Sequence, residues 1–281
     1  PKSEGQRTAL ASQIGADGLH LLTALDRPDA PGEGKELESV EVLRRVWQQY
    51  YEVVKGQAKW RAGPQTNEDE GVIRSPSDPE AQTGKKRETV WLGYKVHLTE
   101  TCAESGETTA PNLIVQVQTT VAPVPDGEMT APIQAALERA HLKPDEHLVD
   151  TGYVDAEQLA SSGQQGIRLI GPTMPDSSWQ AKAGKGFDLA HFSIDWDKHQ
   201  ATCPAGQTSS RFSPAGERME IVFATEVCAQ CPVRQDCTRS QTTGRVLHVR
   251  PQAAHEALQQ QRKIEHTPGF RRTYALRAGI E

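Results

Sequence analysis

"HLVDTGYVDAEQLASSGQQGIRLIG", residues 147–171, reads as strand, turn, helix and strand in immediate succession. Residues 147–149 are a short run that stops at Asp150 and a Gly-containing turn. "DAEQLASSGQQ" opens with an Asp suited to begin a helix, and "IRLIG" is a second apolar strand. A unit of this kind predicts an α/β core. Carboxylates at strand ends in such cores lie at the crevice where ligands bind, which makes Asp150 the first candidate site residue.

The same reading extends outward. "WLGYKVHLTET", residues 91–101, alternates Tyr94, Val96 and Leu98 against Lys95, His97 and Thr99. This is the half-buried strand pattern, with the apolar set expected to face the core. "NLIVQVQTTVAP" (112–123) is a second strand rich in β-branched residues, and "MTAPIQAALERAHL" (129–142) an amphipathic helix. Residues 91–171 are thus expected to form an α/β core with mixed strand pairing. Upstream, residues 8–25 and 36–54 read as helices joined by a breaker-rich loop, and 56–88 as a long loop, so 1–90 is a helical and loop region. Residues 172–250 carry short strand-like pieces ("FSIDWD", "MEIVFATEV", "RVLHVR") and read as a β-rich insertion. Residues 251–281 read as helical again. On their last stretch, "YALRAGIE", Tyr274, Arg277 and Glu281 stand at i, i+3 and i+7 and would share one helical face.

Composition narrows the function classes. With 36% hydrophobic residues, 23 Gly and 18 Pro, the chain reads as globular and turn-rich. No apolar run approaches the roughly 18 residues of a membrane span, and no signal-peptide pattern is present, so a cytoplasmic protein without a membrane partner is expected. The net charge of −6 argues at first against nucleic acid, which is bound through Lys and Arg. The charge is uneven, however: residues 211–281 carry 11 Lys and Arg against 7 Asp and Glu, a net +4, while the rest is −10. "RRTYALR" and "QQQRKIEH" lie in that basic segment, and a solvated charged helix is the competing explanation.

Cys203, Cys228, Cys231 and Cys237 form C-x24-C-x2-C-x5-C. The C-x-x-C pair lets two thiolates reach one tetrahedral ion, and the outer two would complete a four-thiolate zinc site that stabilises a region with little core. Disulfides and unliganded buried thiols are the alternatives. Cys102, alone at a strand end, reads as a small buried hydrophobe.

Taken together, the strand-end Asp of "DTGY" followed by "DAEQL", the "GYKVHLTET" strand, the Cys insertion and the ending Y-x2-R-x3-E resemble bacterial insertion-sequence transposases of the DDE type, over about residues 46–281. The resemblance implies an RNase H-like mixed sheet with flanking helices, in which three carboxylates hold two Mg2+ ions for phosphoryl transfer on DNA. Asp150 matches the second carboxylate and Glu281 the third, both as metal ligands. Tyr274 and Arg277 match residues on phosphates near the transposon end, with Arg271 and Arg272 as further DNA-binding residues. The resemblance also implies transposon-end and target DNA as partners and a homodimer for the complete enzyme. No strand carries a first Asp. Asp78, in "SPSDPEAQTGKK", is the nearest candidate, but its setting reads as a loop. The expectation is therefore an inactive fragment of a transposase. A zinc-stabilised DNA- or protein-binding remnant without catalysis and a nuclease of the same fold are the alternatives.

Overall fold

Ser3 starts the first helix. In the computed structural model, which describes residues 3–61, 63–64, 71–102 and 111–277, the Ser3 hydroxyl accepts from Gln6 N–H while the Gln6 side chain accepts from Ser3 N–H. This reciprocal cap opens α1 (Glu4–Leu25). The amphipathic helix α2 (Glu38–Tyr50) buries Val42 and Trp47. Trp47 Nε1 donates to Gly15 O at 3.0 Å, and Tyr51 Oη donates to Ala11 O at 2.9 Å. Two glycines of α1 make this approach possible: a Cβ on Gly15 would lie 2.4 Å from the Tyr51 ring, and one on Gly18 2.4 Å from the Trp47 ring.

The helix expected over 36–54 ends early. Tyr51–Val54 is strand β1, paired antiparallel with β2 (Gln57–Trp60). Lys55 and Gly56 connect them with φ of 52° and 76°, a two-residue turn whose left-handed backbone matches the twist of paired strands. The β-branched pair before that turn favours the strand. Residues 56–88 therefore hold β2 and β3 (Gln82–Lys86) where a long loop was expected.

The chain divides into two compact units, Pro1–His97 with Gln118–Val124 and Leu98–Val117 with Pro125–Glu281. β3 pairs antiparallel with β4 (Thr89–Glu100), which is bonded in turn to β5 (Ile114–Val121). The faces of β4 are the reverse of the expectation. His97 is 2% exposed, whereas Val96 is 60% exposed, and Val90, Leu92 and Tyr94 are exposed with it. Polar partners on the inward side account for this: the His97 ring is 3.0 Å from Thr120 Oγ1, and Lys95 Nζ donates to Val124 O.

In the second unit, α3 (Thr130–Arg139) precedes β6 (Glu146–Leu148), which runs parallel to β7 (Arg168–Ile170). The crossover is α4 (Ala156–Gln164), and Asp155 Oδ1 caps it by accepting from Gln158 N–H at 2.8 Å. Val149, Val154 and Leu169 form the small core beneath. Among the described residues β6 and β7 are one sheet and β3, β4 and β5 another, so the architecture is mixed α/β with several small sheets. Among the described residues of 91–171 the expected mixed pairing is not made, and the three-residue β6 bonds β7.

The rest of the second unit has two antiparallel sheets, several short helical turns and two longer helices near its end. β8 (Ser193–Asp195) pairs with β9 (Gln200–Thr202), and β10 (Arg211–Ala215), β11 (Arg218–Val222) and β12 (Val246–Val249) form the other sheet. Phe192, Ala201, Ile221, Phe223, Leu247 and Val249 are its core. Next, α5 (Gln252–Ile264) packs against α4. It also holds the segment that leaves β7, through Gln261 Nε2 to Gly171 O at 2.8 Å and Thr173 N to Glu265 Oε2 at 2.9 Å. Thr267 then caps α6 (Pro268–Ala275). Cys102, expected to be buried, is exposed.

Candidate functional site

The parallel pairing of β6 and β7 continues one residue past β6, where Val149 N–H donates to Ile170 O. Asp150 follows, at the N-terminus of the short 3-10 turn Thr151–Tyr153, and its Oδ1 accepts from Thr151 N–H at 2.8 Å. Strand-end placement and turn capping thus hold together for one side chain, which stays about half exposed.

The turn is pinned from below. Thr130 Oγ1 donates to Tyr153 O at 2.8 Å, and a Cβ on Gly152 would lie 3.1 Å from Asp126 Oδ2. Asp126 therefore stands beside the Asp150 turn. Burial pushes the Tyr153 phenol up to about 12, with the Asp126 and Asp150 carboxylates adding to the rise and Arg277 opposing it. These four side chains share one electrostatic neighbourhood.

Arg277 Nη2 lies 3.9 Å from Asp150 Oδ2. On α6, which ends two residues before Arg277, the Tyr274 ring stacks on Phe270 with centroids 5.6 Å apart, and the Arg277 guanidinium lies 5.9 Å from the Tyr274 ring. Arg277 thus lies near the strand-end Asp150, with the Tyr274 ring beside Arg277. Arg271 and Arg272 are exposed on α6. Glu281 lies outside the described residues. Asp78 belongs to the first unit, on a turn and not on a strand, and its Oδ1 accepts from Tyr94 Oη at 2.8 Å. Asp126 escaped the sequence reading: "VPDG" resembles any polar turn, and its nearness to Gly152 is created by tertiary packing.

A second cluster lies in the same unit. Cys203, Cys228, Cys231 and Cys237 are all unbridged and line one cavity of about 20 Å3. Cys203 Sγ accepts from Gln207 N–H at 3.4 Å, and Cys228 Sγ accepts from Arg245 N–H at 3.5 Å. Burial raises the Cys237 thiol and lowers the neighbouring Arg245, whose fall Cys237 partly offsets. Gln180, itself buried, fixes the Cys237 carbonyl at 3.0 Å. Phe223, Val227, Arg234 and Arg245 are among the other lining residues, and Arg234 Nη1 and Arg245 Nε are buried with no hydrogen-bond partner. Among the described residues no three His, Cys, Asp or Glu are drawn together closely enough to hold a metal ion.

Residues 202–281 match a family model described as a transposase DDE domain. The match covers the cysteine cluster and both C-terminal helices, and it supports a DDE-type transposase. No curated protein and no solved structure matches the chain. Among the described residues no helix is long and apolar enough to cross a membrane.

Proposed function

We propose, with the transposase DDE domain match over residues 202–281 as premise, that the chain is part of a transposase carrying out Mg2+-dependent cleavage and strand transfer of DNA on an RNase H-like core. The observation that supports this best is the approach of Arg277 to Asp150, because it ties the segment just after α6 to a strand-end carboxylate. Asp150 is a hard oxygen donor suited to Mg2+, and spacing in the sequence would add Glu281 from the same stripe as Arg277. The bound metal would supply Lewis-acid stabilisation of the phosphoryl group. The chain's own residues bind and orient the DNA: Arg277 pairs with a phosphate through its planar fork while shielding Asp150, and Tyr274 stacks beside it. Arg271 and Arg272, exposed on the same helix, extend the phosphate contacts. The reading includes a structural Zn2+ on Cys203, Cys228, Cys231 and Cys237, and a homodimer for the complete enzyme.

The test is DNA binding by residues 1–281, measured by fluorescence anisotropy on a mixed-sequence duplex at several salt concentrations. Affinity should fall with salt. Changing Arg271, Arg272 and Arg277 together to Ala should flatten the log–log slope by up to about 3, at roughly 0.9 per lost phosphate contact. A slope that the triple change leaves intact would refute the assignment of α6 to DNA.

A further inference from the structure

An open cleft of about 660 Å3 lies wholly within the first unit. Arg45 of α2 and Arg74 line it together, with Glu80, Gln82 and Thr83. A buried amide brings the two arginines to one place. Gln49, one helical turn after Arg45 and 4% exposed, accepts from Ile73 N–H through Oε1 at 2.7 Å and donates to Ile73 O through Nε2 at 3.3 Å. The backbone beside Arg74 is thereby fixed to the face of α2 that carries Arg45, because residues four apart on a helix are neighbours. Like charges held at one cleft favour an anionic occupant.

The positive charge continues along β3, the end strand in the order of its sheet. Thr83 and Lys85 stand two residues apart on one face of it, about 7 Å from each other. Lys86 and the turn residue Arg87 follow. Arg74, Lys85, Lys86 and Arg87 are exposed, and among the described residues none of them makes an ion pair. A lysine run on an end strand is ordinarily a solvated guard against strand pairing; this one leads into a cleft that holds two further cations. Asp78 nearby accepts from Tyr94 Oη, which leaves Glu80 against Arg45 and Arg74 in the lining. Glu68, Asp69 and Glu70 precede Gly71 in the sequence, so an anion competes with carboxylates and binds best at low salt. No aromatic side chain is in the lining, so a nucleobase has no ring to stack on. What the cleft and strand present is a row of guanidinium and ammonium donors, the groups that pair with phosphate. We propose that the cleft of Arg45 and Arg74, with Lys85, Lys86 and Arg87, forms one track for the phosphate backbone of duplex DNA, in a different unit from α6. The identity of the anion rests on the transposase reading given above, and the place of contact goes beyond it. Phosphate contacts carry no sequence information, so the track holds unrelated duplexes equally well.

The experiment is fluorescence anisotropy on purified residues 1–281 with two unrelated duplexes over a salt series that starts low. Arg74→Ala, Lys85→Ala and Lys86→Ala are combined in one variant. Its affinity at the low-salt end should fall at least tenfold on both duplexes alike, and the log–log salt slope should flatten by up to about 3, at roughly 0.9 per lost contact. A control with Lys143→Ala, Lys182→Ala and Lys185→Ala removes the same charge from exposed positions of the second unit and should stay within about twofold of the parent. On the unaltered chain, duplex DNA should also slow acetylation of Lys85 and Lys86 by acetic anhydride, read by mass spectrometry, which requires no variant to fold. A triple variant no weaker than the control, or Lys85 and Lys86 acetylated equally fast with and without DNA, would overturn the track. The transposase reading would still stand if the α6 variant flattened the slope. A parent chain with no salt-dependent DNA binding would overturn both.

Discussion

His147 is the middle residue of β6, and burial pulls its imidazole down to about 4. The ring is held neutral against Gln134, whose Nε2 lies 3.4 Å from His147 Nδ1 and whose Oε1 accepts from Ser162 Oγ. An unfolded His titrates near 6.5, so between those two values the unfolded chain binds a proton that the folded chain refuses, and stability rises with pH there. Urea unfolding at about pH 5 should show roughly 2 kcal/mol less stability than at about pH 7 from this group. His147→Gln should flatten that difference, and an equally steep difference in the variant would place its origin elsewhere. Gly15 and Gly18 make a second case at single positions. An added methyl on either meets an aromatic ring at 2.4 Å. Gly15→Ala and Gly18→Ala should each destabilise the first unit by about 1–3 kcal/mol in the same assay, despite the better helix propensity of Ala. A stabilised variant would mean that the rings can move aside at little cost.

The strand β4 separates what a pattern can tell from what it cannot. Alternation over 91–101 predicted a strand, and one spans Thr89–Glu100. Which face turns inward depends on what lies opposite, and there Thr120 and the Val124 carbonyl serve His97 and Lys95. Val96→Thr should accordingly change stability by less than about 0.5 kcal/mol, whereas His97→Leu should cost about 1–3 kcal/mol by orphaning Thr120. The reverse ranking, read from denaturant midpoints, would restore the expected face. The end of α2 follows the same logic, because helical period in "VWQQYYEVV" runs straight on and the Lys55–Gly56 turn decides against it. Asp150 was legible because an apolar run stops on it. Its approach to Arg277 was not legible, since the stripe in the sequence joined Arg277 to Tyr274 and Glu281 and not to Asp150, and Asp126 beside Gly152 had no local signal at all. Spacing named the four cysteines, but only folding shows the two arginines that enter their cavity.

Taken as one chain, the protein joins a net acidic sequence to a basic C-terminal quarter, and the transposase domain match begins at residue 202. On the proposed reading, phosphoryl transfer needs clustered carboxylates to hold two ions while charge develops on the phosphoryl oxygens. Asp150 is one of them, with Arg277 3.9 Å away. Asp78, the nearest candidate for the first position, sits on a turn and accepts from Tyr94 Oη. Residues 1–281 should therefore leave supercoiled plasmid intact in Mg2+ or Mn2+, as read by the absence of nicked and linear forms on a gel. Nicking abolished by both Asp150→Ala and Asp78→Ala would show Asp78 to be the first carboxylate after all. Nicking that survives Asp150→Ala would remove Asp150 from the chemistry altogether, because a carboxylate that shares a catalytic ion cannot be deleted without losing the charge that holds it.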